Sequence, residues 1–292
     1  MIPDKFEYAA PATLPEAIAL LEAHPDEAKL LAGGQSLIPL MKLRLSNYGL
    51  LVDLRRVPGL AYVREQDGYL AIGAMTREVD LESSDTVRSR YSALYDTSTV
   101  IADPLVRNFA TVGGNIAHAD PANDHPATML ALHARLVAEG PAGRRTIPID
   151  DFLVDTFETA LTHGEVLVEI QIPQPAPGSG SAYVKLERKV GDYAIAAAAA
   201  AVTLTGGACN AAGIGLTNVG PKAVRAVDAE QYLVGKPLDD ATIREAARLA
   251  AAAADPISDL RGPAEYKRAM VRTLTARALR AAAQRATNGG AA

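Results

Sequence analysis

Two short stretches carry the residue types that can hold a phosphate: Ala32-Gly33-Gly34-Gln35-Ser36 and, about eighty residues later, Thr111-Val112-Gly113-Gly114-Asn115. Paired glycines let a backbone come close to phosphate oxygens and turn its N–H groups toward them, and Ser36, Thr111 and Asn115 add side-chain donors. One Gly-Gly pair is an ordinary turn signal. Two such stretches in one chain suit a dinucleotide, whose diphosphate needs donors from two sides. The simpler phosphate loops are absent: no GxxxxGK[ST] run places a lysine for a nucleoside triphosphate, and no GxGxxG follows a strand.

Other chemistry is narrowed by composition. His24, His118, His125, His133 and His163 form no HExxH pattern and have no zinc-site partners, so no metal site is expected. Cys209 is the only cysteine, which rules out an internal disulfide and a four-thiolate cluster. Any iron–sulfur centre must therefore sit on another chain. A net charge of -5 offers no general basic surface for nucleic acid. The apolar run 194–202 is far shorter than the roughly 20 residues needed to cross a bilayer. The segment MIPDKFEYAAPATL lacks the pattern of a secretory signal, so a cytoplasmic protein is expected.

Elements must position the two glycine stretches. Thr13 with Glu16 makes a capping box ahead of Ala17, Ile18, Leu20 and Leu21, which predicts a helix over 13–23. Residues 29–32 read as a strand that delivers the first stretch, apolar residues recur over 37–45, and 49–53 read as another strand. These make a small α/β unit. Alternation around Asp67-Gly68 predicts a hairpin over 62–71, and a second is predicted over 135–147, turning through Gly140-Pro141-Ala142-Gly143. Helices are predicted over 77–82, 86–99 and 124–134, the last with Asp124 as a capping acid and Pro126 in its first turn. A strand over 166–172 closes this region.

The run from Pro173 to Ser181, rich in proline and glycine, cannot continue regular structure and opens a new lobe. Strands are predicted over 182–189, 194–204 and 211–217, with a turn at Gly206-Gly207, then alanine-rich helices over 226–233, 240–254 and 264–286. The alanines at 196–201 favour helix by propensity, but they lie between turns and end in Val-Thr-Leu-Thr, and are read as a buried strand. Tyr266, Met270, Val271 and Leu274 make a stripe at helical spacing that packs on the lobe's sheet, with a partner-binding face as the alternative. Residues 288–292 are read as disordered.

Five segments carry a resemblance: LLAGGQSLIPLMKLRL, RNFATVGGNIAHADPANDHPA, KVGDYAIAA, GLTNVGPKAVRA and DLRGPAEYKRAMV, in that order. With them the chain resembles the FAD-binding medium subunits of molybdenum hydroxylases, most closely the carbon monoxide dehydrogenase branch, from the first helix to about residue 285. The resemblance implies an α+β fold. Residues 1–55 and 56–175 would form a two-subdomain FAD-binding fold of the vanillyl-alcohol-oxidase (PCMH) type, followed by an α+β C-terminal domain of antiparallel sheet plus helices over 176–292. It also implies that Ala32, Gly33, Gly34, Gln35, Ser36 and Leu37, with Thr111, Gly113, Gly114 and Asn115, hold FAD around its pyrophosphate. Asp124 matches the acid that hydrogen-bonds the flavin's sugar-like chain, with plain helix capping as the other reading. Ile101 and Leu167 match pocket-lining positions, with ordinary core as the other reading. Lys185 matches a cofactor-side position and on its own would be a solvated strand lysine. Tyr193 matches the position beside the isoalloxazine ring, where it can stack and control access of acceptors. Gln35 stands where some covalent flavoproteins of the wider fold carry histidine, which implies noncovalent FAD. His118 is given no catalytic role, and no catalytic residue is expected on this chain.

The function implied is electron transfer in an oxidoreductase complex. A large subunit with the molybdenum cofactor oxidises the substrate, a small subunit relays electrons through [2Fe-2S] clusters, and FAD passes them to an external acceptor. Carbon monoxide oxidation to carbon dioxide and a quinone acceptor lead, with NAD and oxygen open as acceptors. A dimer of heterotrimers is expected, in the cytoplasm or peripheral at the inner face of the membrane. The alternatives are a subunit of a xanthine-, nicotinate- or aromatic-thioester-oxidising hydroxylase, a free-standing flavin reductase, and a non-enzymatic interaction module.

Overall fold

In the computed structural model, which describes residues 2–288, the first unit is built by parallel pairing. Strands β1 (Glu7–Ala9) and β2 (Ala28–Leu31) flank β3 (Leu50–Asp53), each parallel to it. The central strand is buried along its length, which is why it reads Leu-Leu-Val-Asp without alternation. Helix α1 (Leu14–Ala23) begins where predicted: Thr13 Oγ1 accepts the Glu16 N–H at 3.3 Å. Glu16, however, reaches back to the N–H of Ala12 at 2.9 Å, so the capping box is offset by one residue. Helix α2 (Leu37–Lys42) follows the first glycine stretch directly. The buried Asp53 carboxylate ends β3 by accepting from Tyr8 O–H at 2.8 Å and from the Arg55 N–H at 2.9 Å.

The second unit starts with the predicted hairpin of β4 (Val63–Gln66) and β5 (Tyr69–Gly73). Asp67 and Gly68 hold φ values of 51° and 82°, the left-handed pair that a two-residue turn of this hand requires. Six helices follow: α3 (Glu78–Glu82), α4 (Asp85–Arg90), α5 (Ser92–Val100), α6 (Pro104–Arg107), α7 (Val112–His118) and α8 (Asp124–Ala131). The one helix predicted over 86–99 is thus two. Tyr91 parts them, its ring buried and its O–H donated to Glu65 at 2.9 Å, with φ -125° and ψ 57° outside the helical range. The chain returns as β6 (Arg135–Gly140) and β7 (Gly143–Pro148), the turn α9 (Ile149–Phe152), the small pair β8 (Leu153–Asp155) and β9 (Glu158–Thr159), and β10 (Val166–Pro173). The last inserts between β5 and β6 to give the antiparallel order β4-β5-β10-β6-β7.

A third sheet runs β11 (Ser179–Leu186), β12 (Ala196–Thr205), β13 (Ala208–Thr217), β14 (Val224–Arg225), antiparallel throughout, with Gly206 and Gly207 at positive φ in its tight turn. Helices α10 (Val227–Leu233), α11 (Asp240–Ala253) and α12 (Ala264–Thr287) build the layer on one face, while α5 and α8 of the second unit cover the other. The alanine run is a strand because both faces are covered. Ala196, Ala198 and Ala200 pack with Ala250, Val271 and Ala278, while Ala197 and Ala199 pack with Ala131 and Tyr183. Burial on both sides and a ten-residue ladder outweigh the small helical preference of alanine.

Two glycines bring α8 closer still: a Cβ at Gly213 would lie 2.1 Å from the Ala131 carbonyl oxygen, and one at Gly215 would lie 1.9 Å from that of Ala127. On α12, Val271 and Leu274 of the predicted stripe are buried, but Tyr266 at its start is half exposed. Asn288 donates its N–H to the Gln284 carbonyl at 3.1 Å, and the rest of the segment expected to be disordered lies outside the described residues.

Substituting Gly215→Ala forces α8 off β13, with an expected loss of about 1–3 kcal/mol as for other overpacked cores. Urea denaturation of the whole chain measures it, and an unchanged midpoint would show this contact to be loose. A second expectation concerns pH. Arg145 donates to Glu165 at 2.6 Å and 2.7 Å, and this pairing lowers the Glu165 carboxyl from its ordinary 4.5 to about 2. Because the folded value is depressed, the contribution is present above about pH 4.5 and is lost as pH falls toward 2. Glu165→Gln should flatten the midpoint-against-pH curve in that window; an unaltered slope would rule the pair out as its source.

Candidate functional site

The two glycine stretches meet. A Cβ on Gly33 would fall 2.2 Å from the Phe109 carbonyl oxygen and 2.8 Å from the Ala110 Cα, and one on Gly114 would sit 3.5 Å from the Ala32 Cβ. The first stretch therefore lies against the chain entering the second with no room for a side chain between them. Gly34 has φ 73°, in the left-handed region, which turns the loop into α2.

Their backbones differ. Among the described residues, Gly33, Gly34, Gln35, Ser36 and Leu37 donate no backbone N–H within the chain, so five successive amides are unengaged. The second stretch is not an open loop but the first turn of α7, and here the sequence reading needs correction. Val112 donates its N–H to Thr76 at 2.9 Å, Gly113 to Ala74 at 2.9 Å, Gly114 to Thr111 Oγ1 at 3.2 Å and Asn115 to the Thr111 carbonyl at 2.9 Å. Gly113 is small because a Cβ would lie 2.6 Å from the Ala74 carbonyl oxygen. What this stretch offers is side-chain chemistry: the Asn115 Oδ1 is buried without a hydrogen-bond partner. An orphaned acceptor of this kind calls for a donor from outside the chain.

Beyond α7, Asp124 opens α8. Its residue position is N1, Asn123 is the cap, and the Asp124 carboxylate makes no capping bond. Instead it accepts the Tyr183 O–H at 2.5 Å and Lys185 Nζ at 2.9 Å. Lys185 is not solvated: its side chain is 3% exposed, it also donates to the Val100 carbonyl at 3.1 Å, and Glu187 Oε2 lies 3.4 Å away. Burial pushes the Asp124 carboxyl up, against the pull of the Lys185 charge and the Tyr183 O–H. The Tyr183 phenol is raised well above its ordinary value, first by burial and then by the Asp124 charge. Tyr183 and Glu187 escaped the sequence reading, although Tyr183, Lys185 and Glu187 at spacing two on one strand face were a usable signal.

Lys185 ties this cluster to the turn after α5. Ile101 follows Val100, is buried, and its carbonyl accepts from Arg107 at 3.1 Å, with Arg107 also paired to Glu82 at 2.9 Å. Leu167 belongs to a different place, in the core cluster with Val112 and Ile116 beneath α7. Tyr193 is 41% exposed, with the Arg261 guanidinium 5.3 Å from its ring centre. Burial and then the Asp120 carboxylate raise its phenol. Gly191 at φ 80° holds this turn against the Ala102 carbonyl. His118 packs against Phe157 with ring centres 5.1 Å apart and planes tilted by 39°, and burial lowers its imidazole. His125 and Glu78 form a fully buried pair at 2.7 Å. Among the described residues no group of three or more histidine, cysteine or acidic side chains is placed to hold a metal.

The geometry generates a paired expectation. Gly33→Ala must displace the loop from Phe109 and should weaken FAD binding at least about tenfold, read by titrating apoprotein with FAD and following flavin fluorescence. Asn115→Leu removes an unpaired buried acceptor, so the apoprotein should be no less stable while FAD binds more weakly. Unaltered affinity in both variants would separate these stretches from the cofactor.

Known proteins resemble this chain along nearly its whole length. Residues 4–175 match the FAD binding domain in molybdopterin dehydrogenase, and residues 181–282 match the CO dehydrogenase flavoprotein C-terminal domain. The chain is 47% identical to the carbon monoxide dehydrogenase medium chain of Hydrogenophaga pseudoflava, over 97% of this chain and 98% of that one. It is 44% identical to the medium chain of Afipia carboxidovorans, over 99% and 100%. A solved structure of the Hydrogenophaga enzyme lacking the Mo-pyranopterin moiety superposes with a TM-score of 0.95 at 49% identity, covering 98% of this chain and 99% of that one. With both halves matched in order along an α+β fold, this chain belongs to the family of FAD-binding subunits of molybdopterin dehydrogenases.

Proposed function

We propose that this chain is the FAD-carrying medium subunit of a molybdenum hydroxylase complex that oxidises carbon monoxide to carbon dioxide. The observation that carries the reading is the row of unengaged amides from Gly33 to Leu37, packed against the stretch that ends in the orphaned Asn115 Oδ1. The end-to-end likeness to carbon monoxide dehydrogenase medium chains supports the substrate. We assign cofactor contacts to Ala32, Gly33, Gly34, Gln35, Ser36, Leu37, Ile101, Thr111, Gly113, Gly114, Asn115, Asp124, Leu167, Lys185 and Tyr193, with the cofactor lying across subdomains 1–55 and 56–175 and the C-terminal domain 176–292 closing it.

When bound, FAD supplies the ability to take up electrons singly and release them in pairs. The chain's own residues do the rest. The amides of Gly33 to Leu37 meet the negative diphosphate without a bulky side chain in the way. Thr111 brings a hydroxyl from the opposite side, while the Asn115 Oδ1, an acceptor, would take a hydrogen bond from a hydroxyl or N–H of the cofactor and not from its diphosphate oxygens. Asp124 and Lys185 hold each other's charge in a buried position, so the cleft presents a fixed dipole and not a mobile ion. Tyr193, half exposed and backed by Arg261, stands where an acceptor would enter. Val190, three residues before it, is 93% exposed, and Leu260, beside Arg261, is 98% exposed; this apolar rim favours a quinone over NAD.

With a single cysteine the chain cannot itself hold a [2Fe-2S] cluster, so the clusters belong to a small partner subunit and the molybdenum cofactor to a large one, assembled as a dimer of heterotrimers in the cytoplasm. No described helix is long and apolar enough to cross a membrane. The test uses the complex purified with its partners. Carbon monoxide should bleach the iron–sulfur absorbance with or without FAD, whereas reduction of a soluble ubiquinone analogue should require FAD. Quinone reduction at full rate after FAD removal would overturn the electron-relay reading, and oxidation of xanthine or nicotinate in place of carbon monoxide would overturn the substrate.

A further inference from the structure

Away from the cofactor cleft, α11 and α12 leave a groove of about 830 Å³ between them. Buried Ala247 and Ala251, with half-buried Ala276, give it a small apolar floor, and six arginines line it: Arg244, Arg248, Arg268, Arg272, Arg277 and Arg280. Glu265 is the one carboxylate in the lining. Three of the six are paired within the chain: Arg248 with Glu245 at 2.7 Å, Arg280 with Asp240 at 2.9 Å and Arg268 with Asp255 at 3.8 Å. Among the described residues Arg244, Arg272 and Arg277 have no carboxylate within ion-pair distance, although the charge of Arg244 acts on Asp239 and that of Arg272 on Glu245, and all three are exposed.

Isolated surface arginines are ordinary. This set is not isolated, and its sign opposes the net charge of -5. Along α12 the lining runs from 265 to 280 at spacings of three and four, a face roughly 22 Å long at 1.5 Å per residue. That length and volume exceed what a phosphate fills. A lipid surface is flat and would touch the arginines on the rim without reaching the alanine floor. An acidic helix fits both features, because small floor residues let its backbone approach while carboxylates on either side meet guanidinium forks.

We propose that the α11–α12 groove is a docking site for an acidic helical segment of a partner polypeptide. The site is independent of the flavin assignment and stands or falls separately from it. The probe is a synthetic helical peptide of about 20 residues built from glutamate and alanine, titrated by fluorescence anisotropy into the full FAD-loaded chain. Binding should weaken as salt rises. Arg272→Glu with Arg277→Glu should weaken it at least about tenfold, while Arg272→Lys with Arg277→Lys, which keeps the charge but not the fork, should weaken it less than the reversal does, all with unaltered flavin content. Absence of binding at millimolar peptide overturns the proposal, as does binding that ignores the charge reversal. Co-sedimentation with phosphatidylglycerol vesicles that the reversal abolishes, without peptide binding, overturns it in favour of a lipid surface.

Discussion

The buried cluster around Asp124 depends on how closely α8 can lie on the third sheet. Only glycine at 213 and 215 leaves room for the α8 carbonyls, and only alanine-sized residues let β12 accept α8 on one face and α12 on the other. That contact sets the height of the first turn of α8 above β11, and with it the meeting of Asp124 with Tyr183 and Lys185. The buried pair is then a result of the packing as much as a cause. Desolvating two charges costs about as much as their attraction returns, but the Tyr183 hydroxyl and the Val100 carbonyl share the load, and the pair selects one register of α8 on the sheet.

The four glycines of the two stretches have separate jobs that their common appearance conceals. Gly33 permits a close approach between chain segments far apart in sequence, and Gly34 supplies a left-handed turn. Gly113 lets α7 rest on Ala74, while Gly114 faces Ala32 across the junction. Only the first stretch keeps its amides free. The asymmetry means that one stretch offers backbone and the other side chains.

Much of this was legible beforehand. The hairpin at Asp67-Gly68 and the cap at Thr13 are local signals, and local chemistry decides them. The run from Pro173 reads as irregular through Ser181, but β11 begins at Ser179, where pairing with β12 supplies the ladder that the local sequence does not announce. The alanine strand was legible only through its flanking turns, since its composition points the other way. What escaped was non-local. Nothing near Val112 or Gly113 says that their amides are spent on Thr76 and Ala74, because those partners arrive from another part of the chain. Asp124 looks like a cap because an acid before a helical run usually is one; its true partners lie about sixty residues away on β11. Lys185 is named only through the family resemblance, since a strand lysine is normally wet and this one is enclosed.

Cys209, the single thiol, is 1% exposed on β13, donates to the Ala211 carbonyl at 3.3 Å, and burial raises its ionisation above the ordinary range. Thiolate, not thiol, reacts with maleimides and methanethiosulfonates. The natural chain is therefore silent toward such reagents, and a cysteine introduced on any exposed turn becomes the one labelled position. Spectroscopic rulers between lobes can be installed without first deleting a native sulfur.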